Sequence, residues 1–487
     1  MNVIIYGFGY QCYLPLLKKI FDIDILNEIF YIGTKEHFSF AEKEVHVFDL
    51  YSLNNCIYPE KYDPILPLDQ KTISEFYECE SICMKMFDRL EFWFPLSYEK
   101  RKTYYLRHLS FWYSIITKYK VNYYIGSNIP HEIFDFIIYS IIKKRNGKVL
   151  CFTQIEFLSR VFLFNDIFDY SFLSKKIMYE KINSEVTEYY YNKKQISEKY
   201  NKPFYMNNGI SPRGEQKNPK KYINIYNRLA GNPDYSQKYV YIPLHYQPEM
   251  STCPIAKEYV RQELVISILD YYLPKDVAIF IKEHPMQTQI GRNYISYSKL
   301  KNFIRVFKRC IKLVLKALVN PKYILYLKQE ILTYSSSFTI NNNEILLTAY
   351  NIKTNNSRIR FIKNCIDSQE LISNSIAVAT CTGTAAVEAL IKEKPVLIFG
   401  NYYFDYAPGV KKITNNDDMK NIYEFIKNFS FNENELLSFL QSVYENTYQL
   451  IVDPYYSKCV NITNDFNIEK LFEIINTFLN KEKEIYA

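Results

Sequence analysis

The amino-acid sequence predicts an α/β protein made of two Rossmann-like domains facing a cleft, with a basic helical insertion in the C-terminal domain. Two patterns carry that expectation. Short β-branched runs that end in glycine or proline alternate with stretches of helical period, as parallel strands joined by helices require. The alternation stops in a polar stretch over residues 186–238, rich in Pro, Gly and Asn, and then resumes. A chain of 487 residues is long enough for both domains to bury their own cores.

Taken in order, residues 3–6 form a β-branched run followed by Gly7, Phe8 and Gly9. Leu14, Leu16, Leu17, Ile20 and Phe21 then recur at helical spacing, so the segment reads as strand, tight turn, helix. The rhythm returns at 29–32 ending in Gly33, and at 121–125 ending in Gly126. A helix over about 132–144 follows, then a strand at 149–152. In the second half the expected elements are strands at 239–244, 278–282, 376–380 and 396–399, helices at 258–272 and 385–391, and a last helix over about 467–483. The division that follows is 1–230 for the N-terminal domain, 235–465 for the C-terminal domain with an insertion at about 293–345, and 466–487 for a C-terminal helix. Gly7-x-Gly9 lacks the third glycine and the acidic residue of a dinucleotide fingerprint, so NAD is set aside.

Composition excludes several classes. Hydrophobic residues at 48% and charged residues at 23% exclude a disordered chain. A net charge of +8 on so long a chain does not imply wrapping of nucleic acid. The excess of Tyr (47) and Phe (34) is read as codon bias rather than a stacking surface. Ten cysteines without a CxxC pair fit free thiols in a reducing cytosol. Cys79 and Cys83 stand one helical turn apart, but no second Cys or His pair accompanies them, so no metal is expected. The N-terminus reads as a first strand rather than a secretion signal, and no charge-free run of about 18 apolar residues occurs. A cytoplasmic protein is expected.

The positive charge is concentrated. From Gly291 to Gln329 there is no acid, while Arg292, Lys299, Lys301, Arg305, Lys308, Arg309, Lys312, Lys316, Lys322 and Lys328 accumulate. Leu300, Phe303, Ile304, Phe307, Ile311, Val314, Leu315 and Leu318 recur at helical spacing, with lysines on the other side. This basic amphipathic helix over about 299–318 is either a peripheral anchor on an anionic inner leaflet or a surface helix packed on its own domain.

Four strand-to-loop junctions carry the candidate chemistry, because ligands of open α/β sheets bind at the carboxyl ends of strands. In Ser127-Asn128-Ile129-Pro130-His131-Glu132, His131 or Glu132 is placed to act as general base on an acceptor hydroxyl; the alternative is a helix-start carboxylate beside a solvated imidazole. In Leu244-His245-Tyr246-Gln247-Pro248-Glu249, a rigid loop holds Glu249 as a base or a sugar-hydroxyl ligand, or as a structural ion pair. Lys282-Glu283-His284-Pro285 ends a buried strand in a histidine able to donate to phosphate, and Arg292 adds a fixed charge nearby. In Thr380-Cys381-Thr382-Gly383-Thr384, a turn leads into a helix, so that backbone N–H groups and hydroxyls form an anion cradle, with Glu388 one turn on in reach of a ribose or serving as a capping carboxylate. The turn lacks the lysine and spacing of a P-loop.

Together the runs SNIPHE, LHYQPE, KEHP with a following GR, and TGTAAVEAL followed by KPVLIFG resemble bacterial capsule and surface-polysaccharide biosynthesis proteins, relatives of the capsular Kdo transferases, which have a GT-B fold. The runs span about residues 121–400 in the family's order. The resemblance implies a glycosyltransferase without metal or cofactor, whose N-terminal half binds a glycan or lipid-linked glycan acceptor and whose C-terminal half binds a nucleotide-sugar donor. Related transferases with an HP motif and a Ser/Thr turn use CMP-linked acidic sugars. It implies that His284 and the Thr382-Gly383-Thr384 turn hold the donor phosphate. With Gln247, Arg292 and Glu388 from the readings above they form the candidate donor-binding set, and Glu132 or Glu249, with His131, the candidate catalytic set. The insertion at 293–345 departs from the compact pattern. Two other readings share these motifs: a GT-B-like sugar-nucleotide epimerase, and a non-catalytic partner in polysaccharide assembly or export.

Overall fold

Apolar runs of three to five residues, buried on both faces, set the frame: Val3, Ile4 and Ile5 in one sheet and Ile279, Phe280 and Ile281 in the other have no solvent-exposed surface. The computed structural model describes residues 1–33, 45–92, 96–195, 226, 230–245, 247, 249–284, 307–308, 310–316, 318, 358–458 and 460–480.

The N-terminal half contains β1 (Asn2–Tyr6), α1 (Leu14–Phe21), β2 (Glu28–Ile32), β3 (Val45–Phe48), α2 (Tyr77–Met86), α3 (Tyr98–Lys118), β4 (Tyr123–Gly126), α4 (Phe134–Lys144), β5 (Lys148–Gln154), β6 (Val161–Phe164) and α5 (Ser184–Gln195). The C-terminal half contains β7 (Tyr239–Pro243), α6 (Glu263–Tyr272), β8 (Ala278–Lys282), β9 (Ile359–Phe361), α7 (Ser368–Asn374), β10 (Ala377–Thr380), α8 (Ala385–Ile391), β11 (Val396–Ile398), β12 (Val410–Lys412), α9 (Glu433–Glu445) and α10 (Asn464–Asn480). The strand orders are β3-β2-β1-β4-β5-β6 and β12-β11-β10-β7-β8-β9. Counted from its own first strand, each sheet reads 3-2-1-4-5-6, the doubly wound Rossmann order. Every pairing is parallel except β5 with β6. The fold is therefore α/β, with two Rossmann-like domains.

That order fixes where ligands bind. The winding reverses between β1 and β4 in one domain and between β7 and β10 in the other, and a crevice opens at the carboxyl ends of those pairs. In the first pair Ile5 lies opposite Ile125 and Tyr6 opposite Gly126; in the second Val240 lies opposite Ala377 and Tyr241 opposite Val378. The loops after Tyr6, Gly126, Pro243 and Thr380 therefore border the crevices. Gly7 allows the first of them to form: its φ is +97°, and a Cβ there would stand 1.9 Å from Ser127 Oγ.

Several boundaries differ from the sequence expectation. α4 starts at Phe134 rather than 132, because Asp135 accepts the N–H groups of His131 and Glu132 and Ile133 takes a φ of +67°. The expected helix at 258–272 begins at Glu263, after a short helical turn Lys257–Val260. The short strands β3, β6, β9 and β12 were absent from the expectation. α5, upstream of the expected division at 230, packs against α8 and α9: the Tyr190 and Tyr191 hydroxyls donate to Glu433 at 3.0 and 2.7 Å, and Lys194 bonds to Glu393 and Glu433. α10 packs against α1, where Leu471, Ile475 and Phe478 join Leu16, Leu17 and Ile20 in one buried cluster. Each such side chain contributes about 1.5–3 kcal/mol by leaving water.

Most of the basic insertion, including Arg292, lies outside the described residues. Within it, Phe307, Ile311, Val314, Leu315 and Leu318 are exposed, Leu318 by 78%. No helix of the described residues is long and apolar enough to cross a membrane.

Candidate active site

The N-terminal wall is organised by Asp135, which is fully buried in the first turn of α4. Its Oδ2 accepts from His131 N at 2.9 Å, and its Oδ1 accepts from Glu132 N and Phe136 N, each at 2.7 Å. Burial, then the charge of Glu132, pushes its carboxyl up to about 7 against these donors. The loop so fixed presents two side chains. His131 Nδ1 lies 2.5 Å from Ile129 O, and since a carbonyl only accepts, Nδ1 carries the proton and Nε2 the lone pair. Nε2 stands 3.5 Å from Glu132 Oε1. Burial and the nearby Arg89 charge push the His131 imidazole down, so it is neutral near pH 7 and competent to accept a proton.

On the C-terminal wall His245 is the organiser, through both its backbone and its ring. Gln262 clamps the backbone, accepting from His245 N at 2.8 Å and donating to His245 O at 3.1 Å. Thr382 N–H donates to His245 Nε2 at 3.2 Å, which makes Nε2 the acceptor and leaves Nδ1–H facing Ser251 Oγ at 3.4 Å. Burial pushes this imidazole down to about 3, and the His284 charge adds to the effect. Thr380 Oγ1 stands 3.1 Å from Nε2 and accepts from Gly383 N at 3.1 Å. Gly383 permits the approach: a Cβ there would lie 2.8 Å from Thr380 Oγ1 and 3.4 Å from the His245 ring.

This arrangement corrects the expected anion cradle. The N–H groups of Thr382 and Gly383 are consumed within the protein, and the Thr382 hydroxyl donates to Ser251 O. Thr384 stands near Glu156 of the N-terminal half, whose charged carboxylate it favours. The carboxyl of Glu156 is pushed up, first by desolvation and then by the charge of Glu388. Glu388 itself accepts from Gln369 Nε2 at 2.6 Å. The Gln247 side chain is committed to Val260 O at 2.5 Å.

Glu249 links the two walls. Its charge reaches His131 on the N-terminal side and both His245 and His284 on the C-terminal side. Burial pushes the His284 imidazole down to about 4; Glu249 opposes this and Lys282 adds to it. Lys282, at the end of β8, is itself pushed down to about 8 by burial, and donates to Ile366 O at 2.5 Å and Ser368 Oγ at 2.9 Å. The structure thus brings together His131, Glu132, Glu249, His284 and the Thr382–Thr384 turn, as the sequence placed them at strand ends.

Sequence reasoning missed Asp135, Glu156 and Arg89. Asp135 had a usable signal, an acid in the first turn of an otherwise apolar helix. Arg89 had none, since it stands in the aromatic run 86–94 beside an acid that looks like its partner. Among the described residues no group of three His, Cys, Asp or Glu side chains is arranged to hold a metal ion.

Two Rossmann-like domains with facing switch points define the class, a GT-B-like α/β protein. No family model and no curated protein matches the sequence. Among solved structures, the β-Kdo 2,7-transferase of Thermosulfurimonas dismutans KpsC is similar over 98% of this chain and 100% of its own, at 11% identity and a TM-score of 0.33. The β-Kdo 2,4-transferase of the same protein is similar over 66% of this chain and 79% of its own, at 10% identity and a TM-score of 0.30. The UDP-GlcNAc 2-epimerase of Methanocaldococcus jannaschii, in complex with UDP-GlcNAc and UDP, covers 91% of this chain and 99% of its own, at 10% identity and a TM-score of 0.26. The fold assignment rests on strand order and register, not on these likenesses.

Proposed function

We propose that the protein is a metal-independent glycosyltransferase that moves a sugar from a nucleotide-sugar donor, with a CMP-linked donor the first candidate, to a capsular or other surface-polysaccharide acceptor. The observation that carries the proposal is the convergence on Glu249 of His131 from the N-terminal switch point and His245 and His284 from the C-terminal one. In this reading the acceptor hydroxyl gives its proton to His131 Nε2 as its oxygen attacks the anomeric carbon, and Glu132 stabilises the imidazolium formed. Glu249 steadies positive charge developing on the sugar ring. The bond from the anomeric carbon to the donor phosphate breaks, and the departing phosphate is met by His284, the Thr384 side of the turn and Arg292. Gln247 holds the loop that carries Glu249, and Glu388 serves the ribose.

The exposed apolar side chains from Phe307 to Leu318, interleaved with Lys308, Lys312 and Lys316, support work in the cytoplasm at the inner face of the membrane, where lipid-linked glycan is available. The test is donor consumption with and without a glycan acceptor, in the native protein and in His131→Ala and Glu249→Gln. Acceptor-dependent consumption lost in both variants is expected. Consumption without acceptor would instead indicate an epimerase, and no consumption of any donor an assembly partner.

A further inference from the structure

Arg89 is a buried charge that the proposed reaction leaves unused. It lies in the short helical turn Phe87–Phe92, at the seam between the domains, and is 6% exposed. Its Nη2 donates to Cys253 O across the seam at 3.4 Å, a long bond, while Nε and Nη1 are buried and have no hydrogen-bond partner among the described residues. The adjacent acid does not neutralise it, because Asp88 is occupied by Arg101, 2.9 Å from its Oδ1, and by Lys85. A guanidinium remains charged at any pH a folded protein meets. Holding one in the interior with three N–H donors unmatched among the described residues is strongly unfavourable in the free protein. A bound oxyanion removes that penalty, and a carboxylate or phosphate matches the planar fork with two oxygens.

The position is that of the candidate site. The Arg89 charge reaches both His131 and Tyr6, the residue at the carboxyl end of β1. Its lid is Cys253, four residues after Glu249, whose thiol also points to Ile82 O at 3.6 Å on the N-terminal wall. We infer that Arg89 is the receptor for an oxyanion, a carboxylate or a phosphate, that the substrate carries into the seam between the domains. The inference rests on the transferase reading of this cleft and deepens it, by requiring a substrate with an anionic group besides the phosphate near His284. Nε and Nη1 are covered in the free protein, so entry of the anion requires the Arg89 turn and the Cys253 loop to part.

The experiment is a melting-temperature series on the full-length protein, with Arg89→Met and Arg89→Lys, each alone and with glucuronate, inorganic phosphate or glucose. The native protein is expected to gain several degrees with glucuronate or phosphate and nothing with glucose. The anion giving the larger rise identifies the source of the oxyanion. That rise is expected to vanish in Arg89→Met, whose ligand-free form melts above the native protein because an unmatched buried charge is gone. Arg89→Lys keeps the charge but not the fork, and is expected to bind the anion about tenfold more weakly; it also decides the matter if Arg89→Met does not fold. A rise that persists unchanged in either variant, or is absent from the native protein, overturns the inference. Nucleotides run in the same series separate the two claims. A nucleotide response kept in Arg89→Met places the loss at Arg89, and a missing response in the native protein counts against the transferase reading alone.

Discussion

Donor binding is expected to take up a proton at His284, and the structure sets the size of the effect. In the free protein burial holds this imidazole near 4, so at pH 7 it is neutral and offers phosphate a hydrogen bond but no charge. An anionic phosphate group against the ring favours the imidazolium; restoring the ordinary value of about 6.5 is worth about 3 kcal/mol. The sign follows from linkage. The bound form has the higher pKa, so the extra affinity is fully present below about 4 and is lost as pH rises through about 6.5. Between pH 8 and pH 5 the donor's Kd should fall about 30-fold. An intact nucleotide-sugar is the right probe, because its esterified phosphates do not titrate in this range. Isothermal calorimetry at several pH values, in buffers of different ionisation enthalpy, measures Kd and the protons taken up together. His284→Asn keeps a donor group and should flatten the profile. A native Kd that is constant from pH 8 to pH 5, or a slope that survives in His284→Asn, refutes the reasoning.

Other perturbations test other parts of the account. His245→Ala removes the acceptor for Thr382 N–H and loosens the turn, and should cost about 1–3 kcal/mol in a denaturant titration. The carboxyl of Asp135 is raised to about 7 in the folded chain, so the folded state holds its proton longer than the unfolded one, and stability should decline as pH rises from about 4 through 7. Asp135→Asn, which keeps an acceptor for the loop N–H groups, should melt with a flatter pH profile. Gly7→Ala, at a φ of +97° and with its Cβ inside contact of Ser127, should destabilise by at least about 1–3 kcal/mol on chemical unfolding. Replacing Lys308, Lys312 and Lys316 by glutamine should weaken sedimentation with phosphatidylserine vesicles about a hundredfold, at about 1 kcal/mol per lysine, and leave phosphatidylcholine vesicles unaffected; equal binding by variant and native protein contradicts the anchor.

Much of the fold was legible because parallel strands buried on both faces cannot hide. Residues 278–282 and 385–391 match their observed bounds, and the strands around Ile4, Ile125 and Val240 lie where short β-branched runs end in glycine or proline. The edge strands were not legible: β9 and β12 have three residues each, too few to establish a period. The histidine and glutamate loops were legible as polar residues pinned at strand ends. Their electrical state was not, because it depends on burial: His284, read as a donor to phosphate, is pushed down to about 4 and is neutral near pH 7, and His245, quoted only as part of a motif, proves to hold the turn. Arg89 escaped for the same reason, since the chain shows Asp88 beside it while the fold gives Asp88 to Arg101 and Lys85. The tyrosine excess is structural as well as compositional: Tyr31, Tyr105, Tyr124, Tyr239 and Tyr241 fill the core, with Tyr239 stacked on Phe280 at 4.1 Å.

The central claim is that the cleft between the two sheets holds a nucleotide-sugar through His284. Melting curves of the purified protein with CMP, UDP, GDP and dTDP, repeated with His284→Ala, test it most directly. One nucleotide should raise Tm, and the rise should disappear in the variant. No rise with any of the four, or a rise that His284→Ala retains, would contradict the claim.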